Sequence, residues 1–423
     1  MLSLLGLGVA SGLPLFLVQR NLQAWLTKAD VDLGVIGAFS LVSLPYSLKF
    51  LWAPLLDRLQ LPFLGRRRGW LIVLQGLLLL SILGLSFLDP TGFGEGSTSC
   101  GAGDWLCSFM GKLGLVYRSP FFWGALGIAF FSASQDIVAD AYRTEVLQPE
   151  EMGAGAAIFV LGYRFALVLT GGLAFAWAAQ IPWSIVYQRL APLMALGMVV
   201  TLLAPQEQAL ESSVAPKSIG WGFIEPLAEF IKRSGWWLIL LFIMLYKVGD
   251  GVVGNMSVPF LLGENGLGAE ETQIGIIQTV GLVSTILGTL VGGSGVSQMG
   301  INRSLWVFGL LQAVSNFSYA LLAFLGNNLA LIFVAINLEN FCGGLGTSAF
   351  TAYLMSLCNR QFTGTQYALL SSLFAVSRDI LVAPGGEIVK TIGWTNFFLG
   401  SVIISLPGLI LLNWVAPWSN PQE

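Results

Sequence analysis

The stretch Asp57-Arg-Leu-Gln-Leu-Pro-Phe-Leu-Gly-Arg-Arg-Arg68 lies between two long apolar runs, residues 33–56 and 69–88. It contains one acid, one glycine and four arginines. A short charged segment between two hydrophobic runs is typical of a tight loop that joins two transmembrane helices. Because Lys and Arg are retained on the cytoplasmic side of a membrane, the stretch predicts that this loop faces the cytoplasm.

The composition of the whole chain agrees with a membrane protein. Of its 423 residues, 55% are hydrophobic and only 10% are charged, whereas a soluble domain carries about 25% charged residues. The net charge of -3 excludes a basic surface for nucleic acid. There is no histidine, and the four cysteines have no CxxC spacing. We therefore expect no metal, no cofactor and no His-based catalysis.

Twelve stretches are apolar over the roughly 20 residues that cross a bilayer. They lie near residues 2–27, 33–56, 69–88, 120–146, 153–179, 189–204, 237–262, 271–292, 304–325, 329–357, 364–389 and 394–416. The chain is thus predicted to be an all-α polytopic membrane protein. We expect bundles of six helices at 1–204 and 237–423, joined by a cytoplasmic linker at 205–236 with an amphipathic surface segment.

The loops differ in charge on the two sides of these spans. Most Lys and Arg residues between spans fall on the side of the first basic loop, which predicts that both termini are cytoplasmic. Residues 89–119 form an outer loop that holds Cys100 and Cys107. These two cysteines would form a disulfide if the outer side is oxidising, and the sequence leaves that open.

Ionisable residues inside the spans are concentrated in some helices and absent from others. They include Arg20, Lys49, Asp136, Asp140, Arg164, Lys247, Asp250, Glu339, Arg378, Asp379 and Glu387. Such residues normally face a cavity or a partner rather than lipid. Spans 3, 9 and 12 have none, which favours a transporter with a central polar cavity over a scaffold that faces lipid throughout.

The depth of three of these residues places them near the middle of the membrane. At 1.5 Å per residue, Arg164, Lys247 and Glu339 lie about 15 Å from the start of their spans. Transporters bind substrate at this level. Lys247 and Asp250 share a helix face at i and i+3 and can neutralise each other. This pair either recognises substrate or is a structural ion pair that locks span 7.

A second pair of charges, in span 11, lies slightly deeper. Arg378 is about 20 Å from the start of its span. Because adjacent residues of a helix point in different directions, we expect Arg378 and Asp379 to point apart, with Arg378 facing the cavity.

Without histidine, protons must be carried by carboxyl groups. Burial favours the neutral form of a carboxyl group, so a deep acid can take up and release a proton. Glu339, Asp250 and Asp136 are the candidates, with ordinary interhelical hydrogen bonding as the alternative for Glu339 and Asp136. Asp140 and Arg143 lie nearer the cytoplasmic end of span 4 and are expected to act in gating.

The stretch 57–68 resembles the loop signature of the major facilitator superfamily, an acid followed by Gly and a basic cluster after span 2. This resemblance implies the superfamily fold, with 12 transmembrane helices in two six-helix bundles. It also implies a gating role for Asp57, Arg58, Gly65, Arg66, Arg67 and Arg68. The alternative is topological, because several arginines would anchor any cytoplasmic loop.

Several further strings resemble the AmpG-type muropeptide permeases. They include Lys49-Phe-Leu-Trp-Ala-Pro54, Ser132-Ala-Ser-Gln-Asp-Ile-Val138, Leu245-Tyr-Lys-Val-Gly-Asp250 and Glu339-Asn-Phe-Cys-Gly-Gly344. The resemblance implies proton-coupled import of N-acetylglucosaminyl-anhydro-N-acetylmuramic acid, with or without peptide, across the bacterial cytoplasmic membrane by a monomer. The residues expected to bind this small-molecule substrate are Gln23, Lys49, Arg164, Lys247, Asn340 and Arg378.

Other functions remain open on the sequence alone. Some members of that family continue into further C-terminal helices, whereas this chain stops at Glu423, so a related permease for a siderophore or acetyl-CoA is the main alternative. An intramembrane enzyme would need paired carboxylates, and no GxGD motif lies within a predicted span. A scaffold or receptor would not need buried charges in both halves.

Overall fold

The computed structural model describes residues 2–58, 64–92, 105–146, 152–206, 229–233, 235–357 and 363–418. Within these ranges all regular structure is helical, as the sequence predicts. Ten helical segments there are long and apolar enough to cross a membrane. One of them, Glu271–Leu325, has 55 residues and measures about 80 Å at 1.5 Å per residue, enough for two crossings. Gly300, with φ 79°, bends this segment between the two. The full count of 12 crossings stays a prediction.

The helices are numbered in chain order. They are α1 (Leu2–Val18), α2 (Arg20–Lys28), α3 (Leu33–Ala38), α4 (Leu44–Leu48), α5 (Ala53–Arg58), α6 (Arg66–Ser86), α7 (Trp105–Arg118), α8 (Pro120–Val146), α9 (Met152–Val168), α10 (Ala174–Ala178), α11 (Trp183–Leu190), α12 (Pro192–Leu203), α13 (Trp236–Leu245), α14 (Val248–Leu262), α15 (Glu271–Ser315), α16 (Phe317–Leu325), α17 (Leu329–Ser356), α18 (Thr363–Val382) and α19 (Gly385–Val415).

The chain folds into two compact units. Unit 1 comprises Met1–Val31, Val42–Gly96 and Gly114–Pro216, and unit 2 comprises Asp32–Leu41, Ser97–Leu113 and Lys217–Glu423. Two short segments of the N-terminal half therefore belong to the unit that holds the C-terminal half. Most of the predicted linker, residues 207–228, lies outside the described residues, and its boundaries at 205 and 236 stay a prediction.

Unit 1 contains irregular backbone whose polar groups are satisfied by buried side chains. Span 1 is interrupted at Gln19, between α1 and α2, and the Tyr187 hydroxyl donates to the carbonyl of Leu17 at 2.5 Å. Span 5 contains a π-helical segment after α9, where Asn21 Nδ2 donates to the Thr170 carbonyl at 3.1 Å. Non-helical backbone at membrane depth requires such partners, because lipid offers none.

Glycines let α1 and α9 approach backbone to backbone. A Cβ at Gly8 would overlap the carbonyl of Phe159, and a Cβ at Gly162 would overlap the carbonyl of Leu5. We expect Gly8→Val to destabilise the protein by about 1–3 kcal/mol or more, because the two backbones must separate. Thermal unfolding in detergent measures this effect. Gly127→Ala is the control, since a Cβ there meets nothing within 4 Å, and an equal loss in both variants would contradict the packing argument.

Unit 2 is built around an interruption of span 7. The helix stops at Leu245 and restarts at Val248, and Lys247 at the N-cap has φ −112° and ψ 15°. The Tyr246 hydroxyl donates to the Leu305 carbonyl at 2.7 Å, and its ring stacks on Phe350 at 5.6 Å between centroids. These contacts fix the interruption in place.

Helix α3 begins with a capping acid. Asp32 Oδ1 accepts hydrogen bonds from the backbone N–H of Gly34 at 2.9 Å and of Val35 at 3.3 Å. Burial alone would raise the pKa of Asp32 above its ordinary 3.8, but the hydrogen bond and charge of Lys390, the charge of Lys112 and the Val35 N–H outweigh it and lower that pKa.

The lowered pKa of Asp32 predicts how the α3 cap responds to acid. Its contribution to stability is present at every pH above 3.8 and is lost only as the pH falls through the still lower folded-state value. We therefore expect the protection of the α3 amide protons against exchange to stay unchanged between pH 7 and 5, and to fall below pH 3.8. Loss of protection already near neutral pH would show that Asp32 is not held ionised.

Candidate functional site

The interruption of span 7 places Lys247 in a buried polar cluster of unit 2. Its Nζ lies 3.3 Å from Asp250 Oδ2, donates to Thr347 Oγ1 at 2.9 Å and lies 3.4 Å from the carbonyl of Gly343. The residue is 8% exposed. The ion pair expected from the i, i+3 spacing is thus formed. Lys247 thus donates two hydrogen bonds and is in ion-pair contact with Asp250, so an incoming anion would compete with Asp250 for this cation.

Arg378 and Asp379 form an ion pair although they are adjacent in α18, and the expectation that only Arg378 faces the cavity stays a prediction. Arg378 donates from Nε and Nη2 to Asp379 Oδ1, at 3.1 and 2.8 Å. The long arginine side chain folds back onto its neighbour, which a short side chain could not do. Arg378 is 36% exposed and Asp379 only 5%, so the arginine still presents an accessible cation.

The stem of Arg378 packs beside the Lys247 cluster. A Cβ at Gly251 would lie 2.7 Å from Arg378 Cγ, and Gly251 directly follows Asp250. Two cations, each paired with a carboxylate of unit 2, therefore lie within one small region. A carboxylate or other anion is the ligand chemistry that such a region suits.

Asn340 and Glu339 lie on α17, which supplies Gly343 and Thr347 to the cluster. Asn340 accepts from Thr285 Oγ1 at 3.0 Å and donates to the Ile336 carbonyl at 2.7 Å. These bonds join α15 to α17 and favour a packing role, so substrate binding by Asn340 stays a prediction. Glu339 is half-buried, one helical turn before Gly343 and on the same face.

Unit 1 has its own cluster of charges around Asp136 of α8. Lys49, from the 3-10 turn that follows α4, and Asp140, one turn along α8, both interact electrostatically with Asp136. The buried Tyr46 hydroxyl lies close enough to interact with the same carboxyl group. The sequence predicted Lys49 and Asp136 separately; the structure brings them together.

Two other predicted substrate residues of unit 1 are Gln23 and Arg164. Gln23 is half-buried on α2, one turn after the interruption at Gln19. Arg164 is half-buried on α9 and interacts electrostatically with Tyr163. Substrate contact by either residue stays a prediction.

Two arginines of the basic loop are fixed at the start of α6. Arg67 Nη2 lies 2.7 Å from Glu145 Oε1, with both side chains more than nine-tenths buried. Arg68 donates to the carbonyls of Thr201 and Leu202 at 3.1 and 2.5 Å. The loop therefore clamps the ends of α8 and α12 to α6. The sequence analysis did not single out Glu145, although it lies at the end of predicted span 4.

The other predicted gating residues are only partly described. Gly65 caps α6 with φ 85°, a conformation that favours glycine. Asp57 and Arg58 end α5 and Arg66 begins α6, and the side chains of these three lie outside the described residues.

Asp140 and Arg143 form a partly exposed ion pair on α8. Arg143 Nη2 lies 3.3 Å from Asp140 Oδ1. The guanidinium also lies 5.0 Å above the Phe159 ring, which connects α8 to α9. The pair is suitably placed for the gating role predicted from the sequence, and that role stays a prediction.

The buried Arg67–Glu145 pair predicts a large effect on stability. Arg67→Ala would remove the guanidinium that pairs with the Glu145 carboxylate, at a cost of about 3–5 kcal/mol. Arg68→Ala loses only hydrogen bonds to carbonyl groups, which we expect to cost about 1.5–3 kcal/mol. Thermal unfolding of the purified variants compares them, and a larger loss for Arg68→Ala would contradict this ranking.

The sequence analysis did not predict two residues of the unit 2 site. Thr347 is uncharged, but it lies seven residues after Asn340 and so on nearly the same helix face, a signal that could have found it. Gln312 lies in span 9, which was set aside because it has no charge. A Cβ at Gly346 would nevertheless lie 2.3 Å from Gln312 Oε1 and 3.7 Å from Lys247 Nζ.

Comparison with known proteins places the chain in a family. Residues 1–381 match the model of the Major Facilitator Superfamily. The chain is 44% identical over 412 residues to the anhydromuropeptide permease of Escherichia coli (strain K12), covering 97% of this chain and 78% of that protein. It is 31% identical over 446 residues to the putative transporter AmpG 1 of Rickettsia felis, with 96% and 95% covered.

The fold agrees with a solved transporter. A bacterial homologue of the human lysosomal transporter Spinster superposes with a TM-score of 0.70 at 14% identity, covering 99% of this chain and 98% of that one. At this identity the likeness concerns the fold alone. The chain is therefore a multi-pass membrane transporter of the Major Facilitator Superfamily and belongs, within it, to the family of the AmpG anhydromuropeptide permeases.

Proposed function

We propose that this chain imports cell-wall muropeptides, N-acetylglucosaminyl-anhydro-N-acetylmuramic acid with or without a peptide, and that protons drive the import. The observation that carries the proposal is the 44% identity to the Escherichia coli anhydromuropeptide permease over 97% of the chain. The chemistry of the unit 2 cluster supports it, because a muropeptide carries a lactyl or peptide carboxylate that a buried lysine can bind.

The coordination of Lys247 suggests how substrate and proton are coupled. Its Nζ donates to Thr347 and to the carbonyl of Gly343 and lies 3.3 Å from Asp250 Oδ2. A substrate carboxylate that pairs with Lys247 takes the place of Asp250, because two carboxylates compete for one cation. Asp250 is then buried without its cation, which favours its protonated form. Binding of substrate and uptake of a proton would in this way promote each other.

The cluster in unit 1 offers a second acid for this purpose. Asp136 interacts electrostatically with Lys49, whereas Asp250 and Lys247 are in ion-pair contact. We infer that each unit holds one lysine–carboxylate pair, and that Glu339 lies on the face of α17 that meets the second pair. Substitution of each acid in turn by its amide decides which of the three carries the proton.

We also propose that the protein acts as a monomer in the bacterial cytoplasmic membrane, with both termini inside. The basic residues Arg66, Arg67 and Arg68 start α6 on one side, and α7 follows α6 after it has crossed. Cys107 of α7 is disulfide-bonded, with its partner outside the described residues. A disulfide on that side is in keeping with an oxidising exterior.

Substrate identity is tested by ligand binding to the purified protein. We expect the anhydro-disaccharide to raise the melting temperature, and acetyl-CoA or a ferric siderophore to leave it unchanged, because ligands stabilise the state they bind. Lys247→Ala is the control for specific binding. A shift with acetyl-CoA or the siderophore and none with the anhydro-disaccharide would replace this proposal with one of the alternatives.

A further inference from the structure

One face of α7 is bonded to two carboxylates of unit 2. Ser108 and Lys112 are four residues apart and so lie on the same helix face. Ser108 Oγ donates to Glu387 Oε2 at 2.6 Å, and Lys112 Nζ lies 3.5 Å from Asp32 Oδ2. Asp32 starts α3 and Glu387 lies in the first turn of α19, so α7 contacts the ends of two separate spans.

The same two carboxylates share a second lysine. Lys390 Nζ donates to Asp32 Oδ2 and, at 2.7 Å, to Glu387 Oε1. Lys390 therefore links α3 to α19 directly, and Ser108 and Lys112 each add one more donor to an acid that is already bonded. Glu387 is the enclosed member, with its side chain 6% exposed.

Along the residues that follow Asp32, α3 packs directly against α18 and α19. Ser40, directly beyond α3, donates to the Asp379 carbonyl at 3.0 Å. A Cβ at Gly37 would lie 2.6 Å from the Ala383 carbonyl, and a Cβ at Gly34 would overlap the Glu387 carboxylate. Because these backbones are in direct contact, we expect α3 to move away from α18 and α19 as one segment.

Within span 2, the boundary between unit 2 and unit 1 coincides with a change from α-helix to 3-10 helix. Its residues Asp32–Leu41 belong to unit 2 and the residues from Val42 onward to unit 1, and a 3-10 segment, Phe39–Ser43, covers the change. A transporter that alternates its access moves one half against the other. Such a movement must either bend span 2 in this 3-10 segment or part α3 from α19.

We propose that α7 is a latch on the outer side of the protein: Ser108 and Lys112 hold α3 against α19, and they release before the transporter opens outward. The proposal rests on the protein being a transporter, and it is independent of which substrate it carries. It assigns a function to an outer-loop helix that the transport site does not use.

The two latch contacts differ in strength. The Lys112 and Asp32 side chains are 22% and 35% exposed, and a partly exposed ion pair contributes little. The hydrogen bond from Ser108 to the enclosed, charged Glu387 contributes more. Ser108 is therefore the main contact of the latch and Lys112 an auxiliary one.

Amide hydrogen exchange of the full-length protein in lipid nanodiscs tests the latch without substrate. In Ser108→Ala/Lys112→Ala we expect the peptide covering 33–41 to exchange roughly three- to tenfold faster than in the parent protein. Peptides of α17 serve as the internal reference and should not change. Ser108→Thr/Lys112→Arg keeps both donors and should exchange at the parent rate, and so should Arg118→Ala, an exposed residue at the end of the same helix.

Each alternative result overturns the proposal. Parent-like exchange of 33–41 in the double alanine variant would mean that Lys390 and backbone packing hold α3 without α7. Equal acceleration in Arg118→Ala would mean that any disturbance of α7 has this effect. Ser108→Ala alone provides the same test if the double variant does not fold. Because no substrate is present, failure here is distinct from failure of the proposed import of muropeptides, which the binding assay detects.

Discussion

Replacement of Lys247 by alanine is expected to abolish import and to weaken substrate binding by roughly thirtyfold or more, the equivalent of about 2–5 kcal/mol for one partner of a buried charge pair. Lys247 is the buried cation of the unit 2 cluster, and its removal leaves Asp250 without its ion pair. The substrate carboxylate would then face the Asp250 carboxylate without a cation to pair with. Binding of labelled anhydro-disaccharide to the purified variant measures the loss.

Matched variants separate recognition from stability. Lys247→Met/Asp250→Asn removes both charges, and we expect this protein to fold well and still fail to bind. Lys247→Arg keeps the cation and should retain part of the affinity. If Lys247→Met/Asp250→Asn binds substrate like the parent protein, the Lys247–Asp250 pair is structural and recognition lies elsewhere.

Glu339→Gln is expected to abolish uptake driven by a pH gradient while preserving exchange of substrate across the membrane without a gradient. The amide imitates the protonated acid, so a carrier that must release its proton would be held in one state. Glu339 is placed for this role one turn before Gly343, whose carbonyl lies 3.4 Å from Lys247 Nζ. Gradient-driven uptake and exchange, measured in the same proteoliposomes, distinguish the two functions.

Asp250→Asn and Asp136→Asn are the matched controls for Glu339→Gln. We expect a loss of coupling with either variant to be accompanied by weaker binding, because each acid interacts with a lysine that is predicted to bind substrate. Accumulation of substrate by Glu339→Gln under an imposed gradient would transfer the carrier role to Asp250 or Asp136.

Helical spacing and the cost of charge in lipid made part of the structure predictable from the sequence. The i, i+3 spacing of Lys247 and Asp250 predicted their ion pair, and the structure contains it. The helical class and the alternation of spans and loops can be predicted from hydropathy alone. These features depend on local sequence, so no knowledge of distant contacts was needed.

Other features depend on side-chain flexibility and long-range packing. Arg378 pairs with its neighbour Asp379 because an arginine side chain is long enough to fold back. Glu145 pairs with Arg67 across 78 residues, and Lys49 approaches Asp136 from another span. Sequence spacing within one helix carries no information about the last two pairs, whose members lie in different helices.

The inclusion of part of span 2 in unit 2 could also not be predicted from the sequence. A break of the chain into halves at 205–236 predicts that residues 32–41 pack with the N-terminal half, whereas they pack with α18 and α19. Gly34 and Gly37 permit this contact. Their spacing of three residues also occurs in many helices that pack within their own half, so it does not reveal the partner.

The central claim, proton-driven import of a muropeptide, is tested most directly by uptake of radiolabelled N-acetylglucosaminyl-anhydro-N-acetylmuramic acid into proteoliposomes. With the exterior more acidic than the interior, we predict accumulation above the equilibrium level, abolished by a protonophore and absent in Lys247→Ala. Uptake that is the same with and without the pH gradient, or no uptake by a protein that does accumulate a siderophore or acetyl-CoA, would contradict the claim.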